Sequence, residues 1–177
     1  SSAASDVYKR QIYDTFEDML FAGSELGHNI LGRKAALMRY DGDAIRRFTA
    51  RTHTTDRMVF ASIGNIPARQ AEAVAMRCFG GEPATERGFA RSVPAATEPF
   101  RKTVCRHTHQ THCIVGCRAC GIGDGRRLPL ALVVNILGGP SANSLLNTTI
   151  REKHGLSYNI EASYTPYSDA GIVAIYF

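Results

Sequence analysis

Two side chains within residues 137–159, LGGPSANSLLNTTIREKHGLSYN, are of the right type to act on a carbonyl: Arg151 and Tyr158, seven positions apart across one helix end. A guanidinium and a phenol both donate hydrogen bonds to a peptide carbonyl or to the oxyanion that develops from it. The surrounding residues predict how the pair is positioned. Gly138, Gly139 and Pro140 mark a start, and Ser141 or Asn143 can cap. Leu145, Leu146 and Ile150 supply apolar spacing, and Gly155 offers a left-handed stop. This pattern predicts one short helix feeding a strand, with Arg151 in the last turn and Tyr158 just inside the strand. Each residue also has a plainer account. An arginine at a helix C-terminus favours the helix dipole by roughly 0.3–1 kcal/mol with or without a ligand. Tyr158 alternates with Leu156, Ile160 and Ala162, which would make it a core tyrosine with a hydrogen-bonded hydroxyl.

A second candidate is the run CRHTHQTHCIVGCRAC, which holds Cys105, His107, His109, His112, Cys113, Cys117 and Cys120. Thiolates and imidazoles at this density can bind Zn²⁺, and a basic protein carrying such a cluster can bind nucleic acid. The two close pairs of a zinc finger, however, need an intervening stretch of about twelve or more residues, which this run lacks. Cys113, Val115, Cys117 and Ala119 instead alternate onto one strand face, where cysteine behaves as a small apolar side chain. The run is therefore expected to be strand core, with no metal and no nucleic acid bound.

The elements that must position these residues form an α+β pattern. Helical spacing runs through Ile12 to Phe21, with Phe16, Leu20 and Phe21 on one side, and another helix spans about Asp43 to Thr52. A strand is predicted from Met58 to Ile63. Ile66, Ala71, Val74, Ala75 and Cys78 form a stripe on a helix begun by Pro67 and stopped by Gly80 and Gly81. Residues 81–100 carry prolines and no periodicity, and read as a linker. Beyond them lie a strand near Thr111 to Ala119, an apolar helix from Leu128 to Leu137, and strands near Leu156 to Tyr164 and Gly171 to Phe177, the last two joined by YSDAG. Helices packed on a largely antiparallel sheet are the expected architecture.

Composition is that of an ordinary globular protein, with 44% hydrophobic residues and a net charge of +5 over 177 residues. Much of the positive charge falls between Arg87 and Arg127, a basic stretch suited to acidic peptides first and to phosphates second. No apolar run approaches the roughly 18 residues of a membrane span, so no membrane association is expected. Five cysteines, an odd number without small-secreted spacing, suit reduced thiols and a cytoplasmic setting.

Read together, these segments resemble the pitrilysin/insulinase family of zinc metallopeptidases, which includes the mitochondrial processing peptidase. The family's Arg-Glu-Lys-x-Gly-Leu-x-Tyr run is matched by Arg151, Glu152, Lys153, His154, Gly155, Leu156, Ser157 and Tyr158. GHNILGRKAALM (Gly27 to Met38) is similar to its His-Pro-Leu-Gly-x-x-Ile-Leu-Gly segment, and AIRRFTARTHTTDRMVFASIGNI (Ala44 to Ile66) to its helix, turn and strand. QTHCIVGCRACGIGDG resembles the strand opening the second family domain, and SYTPYSDAGIVAIYF the strand pair after the Arg/Tyr helix. His53 stands where the family usually has tyrosine, and Ser144 where arginine is common. The match covers roughly residues 12–177, in family order.

The resemblance implies a peptide-holding role for Arg151 and Tyr158 as substrate-binding residues, beside a zinc centre. The metal half of that centre, His-x-x-Glu-His with a glutamate base, is absent, because no Glu-His dipeptide occurs in the chain. No catalytic or metal-binding residue is therefore assigned, and Zn is expected only in a full-length parent. Residues 1–11 look like translated adaptor sequence and are expected to lie outside the fold. Residues 12–85 are expected to be the C-terminal part of a first peptidase-like domain, 86–102 a linker, and 103–177 the N-terminal part of a second, inactive, substrate-binding domain, in a frame truncated on both sides. The implied function is that of a piece of a zinc metalloendopeptidase, itself inactive, with peptides as substrates. The alternative is a non-catalytic homologue or partner subunit of a processing peptidase, and a homodimer or a paired subunit is the expected assembly.

Overall fold

In a computed structural model the protein is described over residues 2–86, 88–90, 92–106 and 110–177, with side chains from Tyr8 onward. Five α-helices occur among the described residues: α1 (Ser2–Leu20), α2 (Lys34–Leu37), α3 (Gly42–Thr52), α4 (Ala68–Phe79) and α5 (Arg127–Gly138). Three strands follow or flank α5: β1 (Ile114–Ala119), β2 (Glu161–Pro166) and β3 (Gly171–Tyr176). The sheet is antiparallel throughout, in the order β1-β3-β2. The α+β architecture is the one the patterns predict.

The chain divides into two compact units, residues 33–91 and residues 1–32 together with 92–177. The expected packing of residues 12–85 apart from 103–177 is corrected by this division. The reason is the apolar face of α1. Phe16, Leu20 and Phe21 are buried together with Ala170, Ile172 and Ala174 of the hairpin end and β3, which makes the α1 face the core of the sheet unit. Burying such side chains is worth roughly 1.5–3 kcal/mol each, and Phe21, at 1% exposure, is the most enclosed. Residues 2–11, expected to lie outside the fold, are instead part of α1, and the Lys9 Nζ lies 2.6 Å from the Glu161 carboxylate on β2.

Registers explain the rest of this unit. Gly116 of β1 pairs with Ala174, and a Cβ added at Gly116 would lie 2.8 Å from the Phe16 ring. The Ile114–Gly116–Arg118 side of β1 therefore faces α1. Helix α5 packs on β2 on the other side, so closely at its end that a Cβ at Gly138 would come within 2.7 Å of the Ala162 Cβ. A glycine is what permits that approach. Strands β2 and β3 form the expected hairpin, closed by the Tyr167 N–H donating to the Ala170 carbonyl at 2.8 Å.

In the unit of residues 33–91, α3 is started by Asp41, whose side chain accepts from the Ala44 N–H at 2.7 Å, and α4 runs from just after Pro67 to Phe79, as predicted. The predicted strand from Met58 to Ile63 is not formed. Val59 is 92% and Ile63 102% exposed, and a β-branched run with no neighbouring strand has nothing to pair with its N–H and C=O groups. The apolar stripe of α4 is likewise uncovered, for no residue of that helix is buried.

Candidate functional site: the Arg151–Tyr158 turn

Residues 147–153 wind as a π-helical turn, Asn147–Lys153, in place of the α-helix the spacing predicts. Such turns carry one extra residue per turn and often mark functional positions. The turn is seated by Ser144 and Asn147, both buried, with the Asn147 Nδ2 donating to the Ser144 Oγ at 2.8 Å. Ser141 contributes its carbonyl, not its hydroxyl, and accepts the Ser144 N–H at 3.1 Å. The stop is the predicted one. Gly155 has φ +62°, its N–H donates to the Arg151 carbonyl at 3.1 Å, and the Leu156 N–H donates to the Ile150 carbonyl at 3.0 Å.

That reversal turns Tyr158 back onto Arg151. The guanidinium carbon lies 5.9 Å from the centre of the Tyr158 ring, within cation–π range. Arg151 is exposed and Tyr158 is 92% exposed, so both have hydrogen-bonding capacity turned to solvent. The core reading of Tyr158 is thereby corrected. The strand begins at Glu161, not near Leu156, so Tyr158 lies in the connection before β2 and Ile160 is the residue that enters the core. Leu156, also exposed, flanks the pair.

The C-terminal part of the cysteine and histidine run, Ile114–Ala119, forms β1 as expected, but its alternation faces the opposite way. Val115 is 57% exposed and Cys117 is exposed, while Ile114 packs against the core. The cysteine face is the open side of an edge strand, because α1 covers the other face. His112 is engaged by Tyr176, with Nδ1 2.6 Å from the phenol oxygen, and the Cys120 thiol lies 3.4 Å from the Tyr164 hydroxyl. The hydrogen bond with Cys120, with burial second, pushes Tyr164 up to about 12. His107 and His109 lie outside the described residues, as does Arg87 at the start of the basic stretch. Among the described residues no three His, Cys, Asp or Glu side chains are grouped to hold a metal ion.

Comparison with known proteins follows the same lines. Residues 40–177 match the family model of the peptidase M16 inactive domain. The chain is 29% identical over 166 residues to an uncharacterised zinc protease, YmxG, of Bacillus subtilis, covering 93% of this chain and 40% of that protein. It is 28% identical over 174 residues to an uncharacterised zinc protease of Streptomyces coelicolor, covering 93% of this chain and 37% of the relative. Among solved structures, the crystal structure of a peptidase M16 inactive domain from Pseudomonas fluorescens has the same fold, with TM-score 0.78 at 20% identity, over 93% of this chain and 40% of that one. A chain of complex III2 from Candida albicans does too, with TM-score 0.72 at 16% identity, over 99% of this chain and 44% of that one. The chain thus spans about two fifths of the length of these relatives. The Arg-Glu-Lys-x-Gly-Leu-x-Tyr run, the α+β fold and the matched span agree, and the chain belongs to the peptidase M16 inactive-domain family of metalloproteases.

Proposed function

We propose that this chain is the substrate-holding part of a zinc-dependent metalloendopeptidase, with Arg151 and Tyr158 as the groups that bind peptide. The observation that carries this reading is the pair itself: two exposed donor side chains, the Arg151 guanidinium carbon 5.9 Å from the centre of the Tyr158 ring, presented by a π-turn and a left-handed glycine and not consumed by the core. A guanidinium beside a phenol offers N–H and O–H donors to one carbonyl oxygen, and their worth rises as that oxygen gains charge. The metal and its glutamate base belong, on this reading, to the portion of the longer relatives that this chain does not span, and zinc is a cofactor of that whole protein only. Peptides are the substrates, and a cytoplasmic setting with reduced thiols is part of the same proposal.

The alternative is a non-catalytic homologue or partner subunit, single or paired, that keeps the fold without metal chemistry. What supports it is that the same fold recurs in a chain of complex III2 from Candida albicans. One experiment separates the two readings. Coding sequence upstream of residue 12 that contains His-x-x-Glu-His, expressed with this chain, should give chelator-sensitive cleavage of unstructured peptides. Upstream sequence without the motif, together with no cleavage, selects the subunit.

A further inference from the structure

A polar side chain sealed from water persists where it has a hydrogen-bond partner, because an unpaired one costs more than a made bond contributes. Ser144 and Asn147 meet that condition through each other. They are 5% and 7% exposed, and the Asn147 Nδ2 donates to the Ser144 Oγ at 2.8 Å. The Ser144 backbone is engaged in the same place, its N–H donating to the Ser141 carbonyl at 3.1 Å and its carbonyl accepting the Thr148 N–H at 2.9 Å. Amide, carbonyl and hydroxyl of one residue thus hold the entry to the turn that carries Arg151.

Asn147 is the first residue of that π-helical turn and Arg151 the fifth. In an α-helix residues four apart share a face, so Arg151 would stand over Asn147, on the buried side. The wider π winding, rare and usually a single turn, takes Arg151 off that register, and Arg151 is exposed. The exit is closed separately, by the Gly155 and Leu156 N–H groups on the Arg151 and Ile150 carbonyls. Of the two ends, the entry is the one fastened by side chains.

We propose that Ser144 and Asn147 are positioning residues for the peptide-binding pair: their buried hydrogen bond holds residues 147–153 in the π winding, and the winding sets Arg151 beside the Tyr158 ring rather than over Asn147. Both act through Arg151. A donor aimed by a buried contact keeps its direction before substrate arrives, which is the preorganisation that stabilising a developing oxyanion requires. That Arg151 is a peptide donor rests on the function proposed above; how it is aimed does not depend on it.

The Tyr158 ring current reports the aim of Arg151 in the intact chain, as a displacement of the Arg151 side-chain proton resonances that Tyr158→Leu abolishes. No peptide is added, so the measurement is separate from the turnover of Arg151 and Tyr158 variants that tests the function itself. Ser144→Ala deletes a single oxygen and strands the Asn147 amide, and should reduce the displacement about twofold or more. Lower stability alone does not produce this result. The double variant Ser144→Ala/Asn147→Leu replaces both partners with apolar groups, a change that can be nearly neutral for folding, and should still lose the displacement. Contacts across the β2–β3 hairpin, such as Tyr164 beside Val173, report in the same spectra that each variant is folded. A displacement that keeps its original size in folded Ser144→Ala and in the folded double variant would overturn the proposal. Its return in the double variant alone would do so too, because the loss in Ser144→Ala would then come from the stranded amide and not from the missing bond.

Discussion

The guanidinium of Arg151 sits 5.9 Å from the centre of the Tyr158 ring because the chain reverses at Gly155, whose φ of +62° is available to glycine at little cost. Gly155→Val should separate the pair. A β-branched residue in the left-handed region is strained by about 1–2 kcal/mol, and the turn should relax by moving Tyr158 away. Loss of the through-space contacts between the Tyr158 ring protons and the Arg151 side chain in NMR spectra is the expected readout.

Both members of the pair are exposed, so their roles can be tested without confounding the fold. Tyr158→Phe and Arg151→Ala should each change the stability of this chain by less than about 0.5 kcal/mol in urea titrations, as for surface positions in general. In a longer active parent, Tyr158→Phe should lower kcat/KM by roughly 10²-fold, the scale of one lost donor to an oxyanion. Unaltered turnover in both variants would make the pair structural.

Gly138→Ala tests the contact between α5 and β2. The added methyl would meet the Ala162 Cβ at 2.7 Å, so α5 must shift and the unit should lose about 1–3 kcal/mol, visible as a lower urea midpoint with an unchanged slope. Gly155→Ala, by contrast, has open space and tests the backbone alone.

Glu17 gives a pH dependence whose sign follows from its surroundings. Burial, with the Asp14 charge adding to it, raises the Glu17 carboxyl above its usual 4.5. A raised folded value means that the ionised form is disfavoured by folding: the contribution is present below 4.5 and is lost as pH rises through the higher folded value. Glu17→Gln should therefore stabilise the chain at pH 7, with the gain disappearing below about pH 4. Thermal melts at the two pH values measure it, and a gain that persisted at low pH would contradict the assignment.

Purified chain should contain no stoichiometric zinc. Cys117 points to the open side of β1, and His112 is taken up by Tyr176. Elemental analysis yielding about one zinc per chain, lost on Cys113→Ser, would restore the cysteine and histidine run as a metal site.

Features governed by a few neighbouring residues are legible in the amino-acid sequence. Pro67 and Gly80 bound α4, Gly155 stops the turn, and YSDAG joins β2 to β3, because fixed φ angles and turn chemistry act locally. The Arg-Glu-Lys-x-Gly-Leu-x-Tyr run and the absence of Glu-His are equally plain in the sequence. Which face is covered is a different matter. The alternation of Cys113, Val115, Cys117 and Ala119 predicts a strand but not its buried side, and only the seating of Phe16 against Gly116 decides it. The run from Met58 to Ile63 has strand residues and no partner, so no strand forms. Tyr158 alternates like a core residue yet stands in solvent, since β2 begins three residues later. Burial and strand pairing are properties of two segments brought together. The local pattern of one segment specifies its own conformation, whereas its neighbour, and with it the exposure of the Arg151–Tyr158 pair, is chosen by the tertiary structure.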